Sequence, residues 1–272
     1  MEQDVTIVAS RTDGAGLELY SCGSGPGVVV MHGGGTDAEV YKRLAERLSA
    51  AGFAVHVYNR RGRGQSGERP SDYGLQTEVD DLESVLLATN SDRVVGHSGG
   101  GFLALAAARA LPMARLALFD PTVNVDGSFP TEFMPEFERL IDAGDTNGAL
   151  LVMSRGLRNP GSDWPEPMQR AALRAVLLTP PGKTMARLLH TVPAEVQPAF
   201  EADGPASDWA DVKAAETRFY IGAKSPDYYL PMAQQLVRAM PNASLEVIPR
   251  LGHDALARAG AKLVASLARF LA

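Results

Sequence analysis

The sequence predicts an α/β domain organised on a mostly parallel sheet, and three features predict it. Short, wholly apolar runs at 28–31 and 94–95 read as strands covered on both faces. Between such runs lie amphipathic stretches, with Val40, Leu44 and Leu48 on one face of the first and Val79, Leu82 and Leu86 on one face of the second. Finally, Gly96-x-Ser98-x-Gly100 joins an apolar run directly to the Ala-rich stretch 102–111, which stops before Pro112. A strand turning into a helix this sharply needs glycine where the two elements approach, and it leaves Ser98 projecting at the carboxyl edge of the sheet.

Taken in order, residues 5–10 and 16–20 alternate as a strand pair joined through Thr12-Asp13-Gly14. Strand 28–31 leads through a helix at 37–51, ended by Gly52, to strand 54–58 and an Arg/Gly-rich loop at 59–67. Thr77 is the expected cap of a helix running to Ala88. The serine turn follows, then strand 116–119. From 123 to 210 the alternation stops: ten of the 18 prolines fall here, with both tryptophans and Met134, Met153, Met168 and Met185. Amphipathic pieces at 132–143 and 168–178 predict short helices interrupted by proline. The pattern then resumes with strand 217–221, helix 229–240, strand 245–248 and a helix from Ala255. Alternation of this kind implies parallel strands with helices on both faces. The expected organisation is a core of residues 1–122 and 211–272 carrying a helical insertion, 123–210, after the strand that follows the serine helix.

Composition excludes several classes. With 272 residues, 45 % apolar and 21 % charged, the chain suits one large domain. A net charge of −6 gives no electrostatic reason to expect nucleic acid or an anionic membrane as partner. Cys22 is the single cysteine, so no intrachain disulfide forms, and no His/carboxylate group has metal-ligand spacing. No run approaches membrane-spanning length and the first residues lack an apolar signal core, so a cytoplasmic location is expected. Gly62-Arg63-Gly64-Gln65-Ser66-Gly67 matches a dinucleotide fingerprint, yet Pro70 and Gly74 extend the loop where a phosphate-binding helix would have to begin. No cofactor is expected.

Four motifs, in order, carry a resemblance. His32-Gly33-Gly34-Gly35 follows strand 28–31, Arg60-Arg61-Gly62-x-Gly64-x-Ser66-Gly67 follows strand 54–58, the serine turn comes next, and Gly252-His253 follows the last strand. The chain is identified as a member of the α/β-hydrolase superfamily on these grounds, a resemblance that extends over nearly its whole length. It implies an α/β-hydrolase fold with a helical cap at 123–210, Ser98 as nucleophile, and His253 as the base that takes the serine proton and returns it to the leaving group. Gly33 or Gly34, with Gly99, would supply backbone amides to an oxyanion. One departure is informative. Where most relatives carry an aspartate, the chain reads Gly222-Ala223-Lys224-Ser225-Pro226. Asp120, which ends the strand after the serine helix, occupies the position used by haloalkane dehalogenases and zearalenone-lactone hydrolases, so it is the expected acid, with Asp227 as the alternative.

These residues imply cofactor-free hydrolysis of a carboxylic ester or lactone through an acyl-enzyme. Cleavage of carbon–carbon bonds, haloperoxidase-like chemistry and non-catalytic ligand binding on the same fold are the alternatives. The insertion's Met153, Trp164 and Met185 are candidate walls of an apolar pocket for a bulky, weakly polar small molecule. The sequence leaves oligomeric state open, a homodimer included.

Overall fold

In the computed structural model, which describes residues 4–272, the apolar runs are strands that sort alternate side chains into two layers. Val29 and Met31 face one apolar cluster while Val28 and Val30 face another, and Val94/Val95, Leu116/Ala117 and Phe219/Tyr220 divide the same way. This period-two sorting is why such strands read as continuously apolar. The sheet has eight strands: β1 (Asp4–Ala9), β2 (Gly16–Cys22), β3 (Gly27–Met31), β4 (Ala54–Tyr58), β5 (Arg93–His97), β6 (Met113–Phe119), β7 (Ala214–Gly222) and β8 (Ala243–Ile248). Their order is β1-β2-β4-β3-β5-β6-β7-β8. The pairings β1–β2 and β2–β4 are antiparallel and the rest are parallel.

Helices α1 (Lys42–Ala50), α10 (Ala255–Arg258) and α11 (Ala261–Leu271) supply Leu44, Leu48, Leu256, Leu263 and Leu267 to one layer. Helices α2 (Leu75–Thr89), α3 (Gly99–Ala107) and α9 (Tyr229–Ala239) supply Leu82, Phe102 and Leu236 to the other. Between β6 and β7 lie α4 (Met134–Asp142), α5 (Thr146–Gly156), α6 (Glu166–Leu177), α7 (Pro180–Leu188) and α8 (Val192–Glu201). These inserted helices form a smaller apolar cluster of their own, centred on Phe137, Leu140, Leu150 and Leu189.

Two boundaries differ from expectation. Thr77 lies inside α2, which starts at Leu75 because the extended Gly74 accepts the first helical bond from Glu78. The C-terminal helix is broken at Ala259, whose left-handed φ of 50° separates α10 from α11. The Arg-rich loop turns inward: Arg60 pairs with Glu78 and Arg61 with Asp81, all four buried. Those charges bind neighbouring elements of the fold rather than a phosphate.

The chain leaves β3 to build β4 on one side and returns to β5 on the other, so a crevice opens at the carboxyl ends of β3 and β5. The glycine loop and the serine turn meet there. A Cβ at Gly100 would lie 2.3 Å from the His32 carbonyl oxygen and 2.6 Å from that of Met31. Both are backbone atoms that cannot step aside. Gly100→Ala is therefore expected to cost about 2–3 kcal/mol in urea unfolding. Gly260→Ala, at an open position with φ of −59°, should stay within about 0.5 kcal/mol of the parent.

Candidate active site

Ser98 sits at φ 54° and ψ −125°, a conformation rare for a residue with a side chain, and the surrounding backbone holds it there. Its amide donates to the Phe119 carbonyl at 3.1 Å, and its carbonyl accepts from Gly101, Phe102 and Thr122. The strain aims the hydroxyl into a cavity of about 160 Å³ rather than along the helix.

The next strand delivers the carboxylate. His97 of β5 is in register with Phe119 of β6, and Phe119 with Tyr220 of β7, so Asp120 emerges between the serine turn and the end of β7. Asp120 has φ 42° and no exposed surface. Its Oδ1 accepts from the Gly222 amide at 3.1 Å, and its Oδ2 accepts from Ser225 Oγ at 2.5 Å and His253 Nδ1 at 3.2 Å. A buried carboxylate needs such donors, and three converge on it. Ser225 is thus a hydroxyl donor to the Asp120 carboxylate at the end of the neighbouring strand. Asp227 is 77 % exposed and pairs with Arg158 at 3.1 Å, away from the imidazole.

The His253 ring stacks on Tyr229 at 5.3 Å and also meets the His97 ring at 4.8 Å. Because Nδ1 donates to Asp120, Nε2 of the neutral ring keeps its lone pair. His253, Ser98 and Thr122 all line the cavity, and the Ser98 hydroxyl lies 3.4 Å from Thr122 Oγ1. The Ser98 hydroxyl is thus turned to Thr122 rather than bonded to the imidazole; catalytic hydrogen bonds are often long or poorly aligned before substrate binds.

Of the two loop glycines that are alternatives for the first amide, Gly33 has its N–H engaged. Its N–H donates to Tyr41 Oη at 3.2 Å; that hydroxyl in turn donates to His97 Nδ1 at 2.5 Å, while His97 Nε2 donates to the His253 carbonyl at 2.8 Å. Gly34 and Gly99 line the cavity, and among the described residues neither amide is engaged by a protein acceptor. They sit together: a methyl group added at Gly99 would lie 3.7 Å from the Gly34 nitrogen. His32 bonds locally, donating from Nδ1 to the Gly33 carbonyl and accepting the Arg60 amide at Nε2.

Met153 and Met185 line the cavity with Phe133, Leu157 and Phe200. Trp164 does not: its ring lies against Gly161 on the outer side, 48 % exposed. The lining also includes a carboxylate, that of Glu195 of α8. Nothing in the local sequence marks Tyr41, Tyr229 and Glu195, and His97 stands in the serine turn itself without a pattern that assigns it a role.

Comparison with known proteins shows the family and the fold of the chain. The model of the Alpha/beta hydrolase family matches residues 28–266. The crystal structure of an alpha/beta hydrolase from Sphaerobacter thermophilus superposes with a TM-score of 0.81 at 29 % identity, covering 98 % of this chain and 100 % of that one. An esterase from Exiguobacterium antarcticum superposes at 0.72 with 20 % identity, covering 98 % of each chain. A monoacylglycerol lipase of Mycolicibacterium smegmatis is 34 % identical over 113 residues, 38 % of this chain, and the match spans 40 % of the lipase's own length.

Burial holds the His32 and His97 imidazoles neutral, their pKa values well below the ordinary 6.5; at His97 the neighbouring His253 adds to the effect. The unfolded chain takes up protons at these residues below about pH 6.5 and the folded chain does not, so stability falls as pH drops through that value. His56, also lowered by burial, acts in the same direction. Urea unfolding between pH 8 and 5 should be flat above 7, then lose up to about 1.4 kcal/mol per pH unit for each such histidine. Unchanged stability down to pH 5 would contradict the neutral assignment.

Proposed function

The chain belongs to the alpha/beta hydrolase family, and from that premise we propose that it is a cofactor-independent serine hydrolase of small carboxylic esters or lactones. The observation that carries the reading is the His253 Nδ1–Asp120 Oδ2 bond of 3.2 Å, made by an imidazole that shares one cavity with Ser98 and the free amides of Gly34 and Gly99. In this reading His253 Nε2 takes the Ser98 proton as Oγ attacks the carbonyl carbon. The carbonyl oxygen becomes an alkoxide held by the Gly34 and Gly99 amides, which are oriented before the reaction begins. Collapse expels the alcohol oxygen, which receives the proton from His253 and leaves Ser98 acylated. Water, deprotonated by the same imidazole, then attacks the acyl carbon; the released carboxylic acid frees Ser98, which regains its proton. Asp120 keeps Nδ1 protonated throughout and stabilises the imidazolium that forms in each half.

Residues 123–210 act in this reading as a cap that selects substrate. The reacting groups come from the strand ends and their loops, whereas Phe133, Met153, Met185 and Phe200 of the insertion wall the cavity. A volume of about 160 Å³ is below the ~300–1,000 Å³ of pockets that hold drug-sized ligands. A short acyl chain or a small lactone ring suits it better than the bulky substrate expected from the methionines and tryptophans.

Two outcomes test this on p-nitrophenyl esters. Ser98→Ala and His253→Ala should each abolish nearly all turnover, and Asp120→Asn should lose on the order of 10²–10⁴-fold in kcat. Asp227→Asn should remain within about twofold, as expected of an exposed ion pair. Across chain lengths, kcat/KM should peak between acetate and butyrate and fall by about tenfold or more at decanoate, the loss that a single misfitting methylene of about 1–3 kcal/mol already causes. Met153→Ala should move the optimum to a longer chain. A decanoate optimum in the parent, or a crippled Asp227→Asn, would refute the corresponding assignment.

A further inference from the structure

Glu195 is a buried carboxylate on α8, and its partners belong to other parts of the chain. Its Oε2 accepts from the Gly35 amide at 3.1 Å, and its Oε1 accepts from Arg63 and Arg69. Arg60 Nη1 stands 3.9 Å from Oε2 and has no hydrogen-bond partner. Burial alone would raise the Glu195 pKa, but the Arg63, Arg60 and Arg69 guanidiniums outweigh it and hold the group at about 2. The carboxylate is therefore ionised at any working pH.

What it holds is the loop that carries the Gly34 amide. The Gly33 carbonyl accepts from His32 Nδ1 and Thr36 Oγ1, which fixes the peptide that carries the Gly34 N–H, and Gly34 lines the cavity. The following peptide is fixed by the Gly35–Glu195 bond, at a residue with φ of +61°. Thr36 is held in turn, because Arg63 Nε donates to its carbonyl at 2.6 Å while the same guanidinium grips Glu195. A Cβ at Gly34 would lie 3.2 Å from Glu195 Oε2, so carboxylate and amide share one wall of the cavity. Contacts that dock α8 on the sheet edge are also the contacts that brace the glycine loop.

We propose that Glu195 is a positioning residue for the oxyanion-binding amide of Gly34, so that the donor pair is complete only while α8 is docked. This rests on the serine-hydrolase reading above. A cap helix that moves to admit substrate would withdraw Glu195 from Gly35 and slacken the loop; redocking would restore the amide as the substrate is enclosed. Chemistry would then be coupled to closure through one carboxylate.

The test uses the full chain on p-nitrophenyl butyrate, with inhibition by a short alkyl trifluoromethyl ketone measured beside it. That ketone adds the serine to give an alkoxide needing the same amides; its methyl-ketone counterpart reports ground-state binding. Glu195→Asp keeps the charge among the arginines but withdraws the oxygens from Gly35. It should lower kcat on the order of tenfold, a part of the ~10²–10³-fold that loss of a whole donor causes. KM should change by less than about threefold, and the trifluoromethyl ketone should weaken by the same factor as kcat while the methyl ketone does not. Arg69→Gln, at the part-exposed rim, should move kcat and the ketone ratio in the same direction by a smaller factor, and it decides the matter if Glu195→Asp fails to fold. Wild-type kcat in a folded Glu195→Asp, a loss confined to KM, or equal weakening of both ketones would overturn the proposal. A parent chain without esterase turnover would instead overturn the hydrolase reading, and this proposal with it.

Discussion

Backbone packed directly on backbone sets the geometry of this site. At Gly96 a Cβ would meet the Gly101 Cα at 2.7 Å, and at Gly100 it would meet the carbonyls of Met31 and His32. With no side chain in either place, the start of α3 lies against the end of β3, and the loop from β3 and the turn from β5 become one surface. The left-handed φ of Ser98 follows from that closeness, as does the pairing of the Gly34 and Gly99 amides. The parallel register then carries the arrangement across the sheet: β6 presents Asp120 beside the turn, β7 donates the Gly222 amide to it, and the loop after β8 swings His253 onto its other oxygen.

A cluster of charges is buried around this surface. Arg60, Arg61 and Arg63 are each almost fully enclosed and each meets a buried carboxylate. Such pairs add little net stability, because desolvation of both ions cancels much of their attraction, but removing one partner is costly. Their consequence here is directional. Glu78 and Asp81 bring α2 to the loop after β4, and Glu195 brings α8 to the same loop. A chain with a net charge of −6 thereby concentrates positive groups behind its glycine loop.

Most of this was legible in the sequence wherever local backbone demands dictate residue type. The serine turn, the glycine loop and the histidine past the last strand each need a particular residue at a particular place, and Ser225 in an aspartate's usual position pointed back to Asp120. Contacts made across long separations left no such mark. Glu195 meets Gly35 across 160 residues and Arg63 across 132, so nothing near it in the chain signals its role. The Gly33 amide goes to Tyr41, which a short 3₁₀ turn folds back beneath the loop; sequence could not separate Gly33 from Gly34 without that turn. Trp164 illustrates the opposite error: composition makes it a candidate pocket wall, but it lies on the turn before α6, 48 % exposed, and composition does not say which side of an insertion a ring faces.

Covalent labelling tests the central claim most directly. Exposed to a small fluorophosphonate at neutral pH, the full chain should gain one adduct by intact mass, and peptide mapping should put it on Ser98. The phosphoryl oxygen would occupy the position between the Gly34 and Gly99 amides, so the adduct reports the nucleophile and its surroundings together. The same chain carrying Asp120→Asn should label on the order of 10²-fold more slowly or worse at the same residue, because the imidazole loses the partner that fixes its tautomer. An adduct on a serine other than Ser98, or undiminished labelling without the Asp120 carboxylate, would contradict a nucleophile activated through His253 and Asp120.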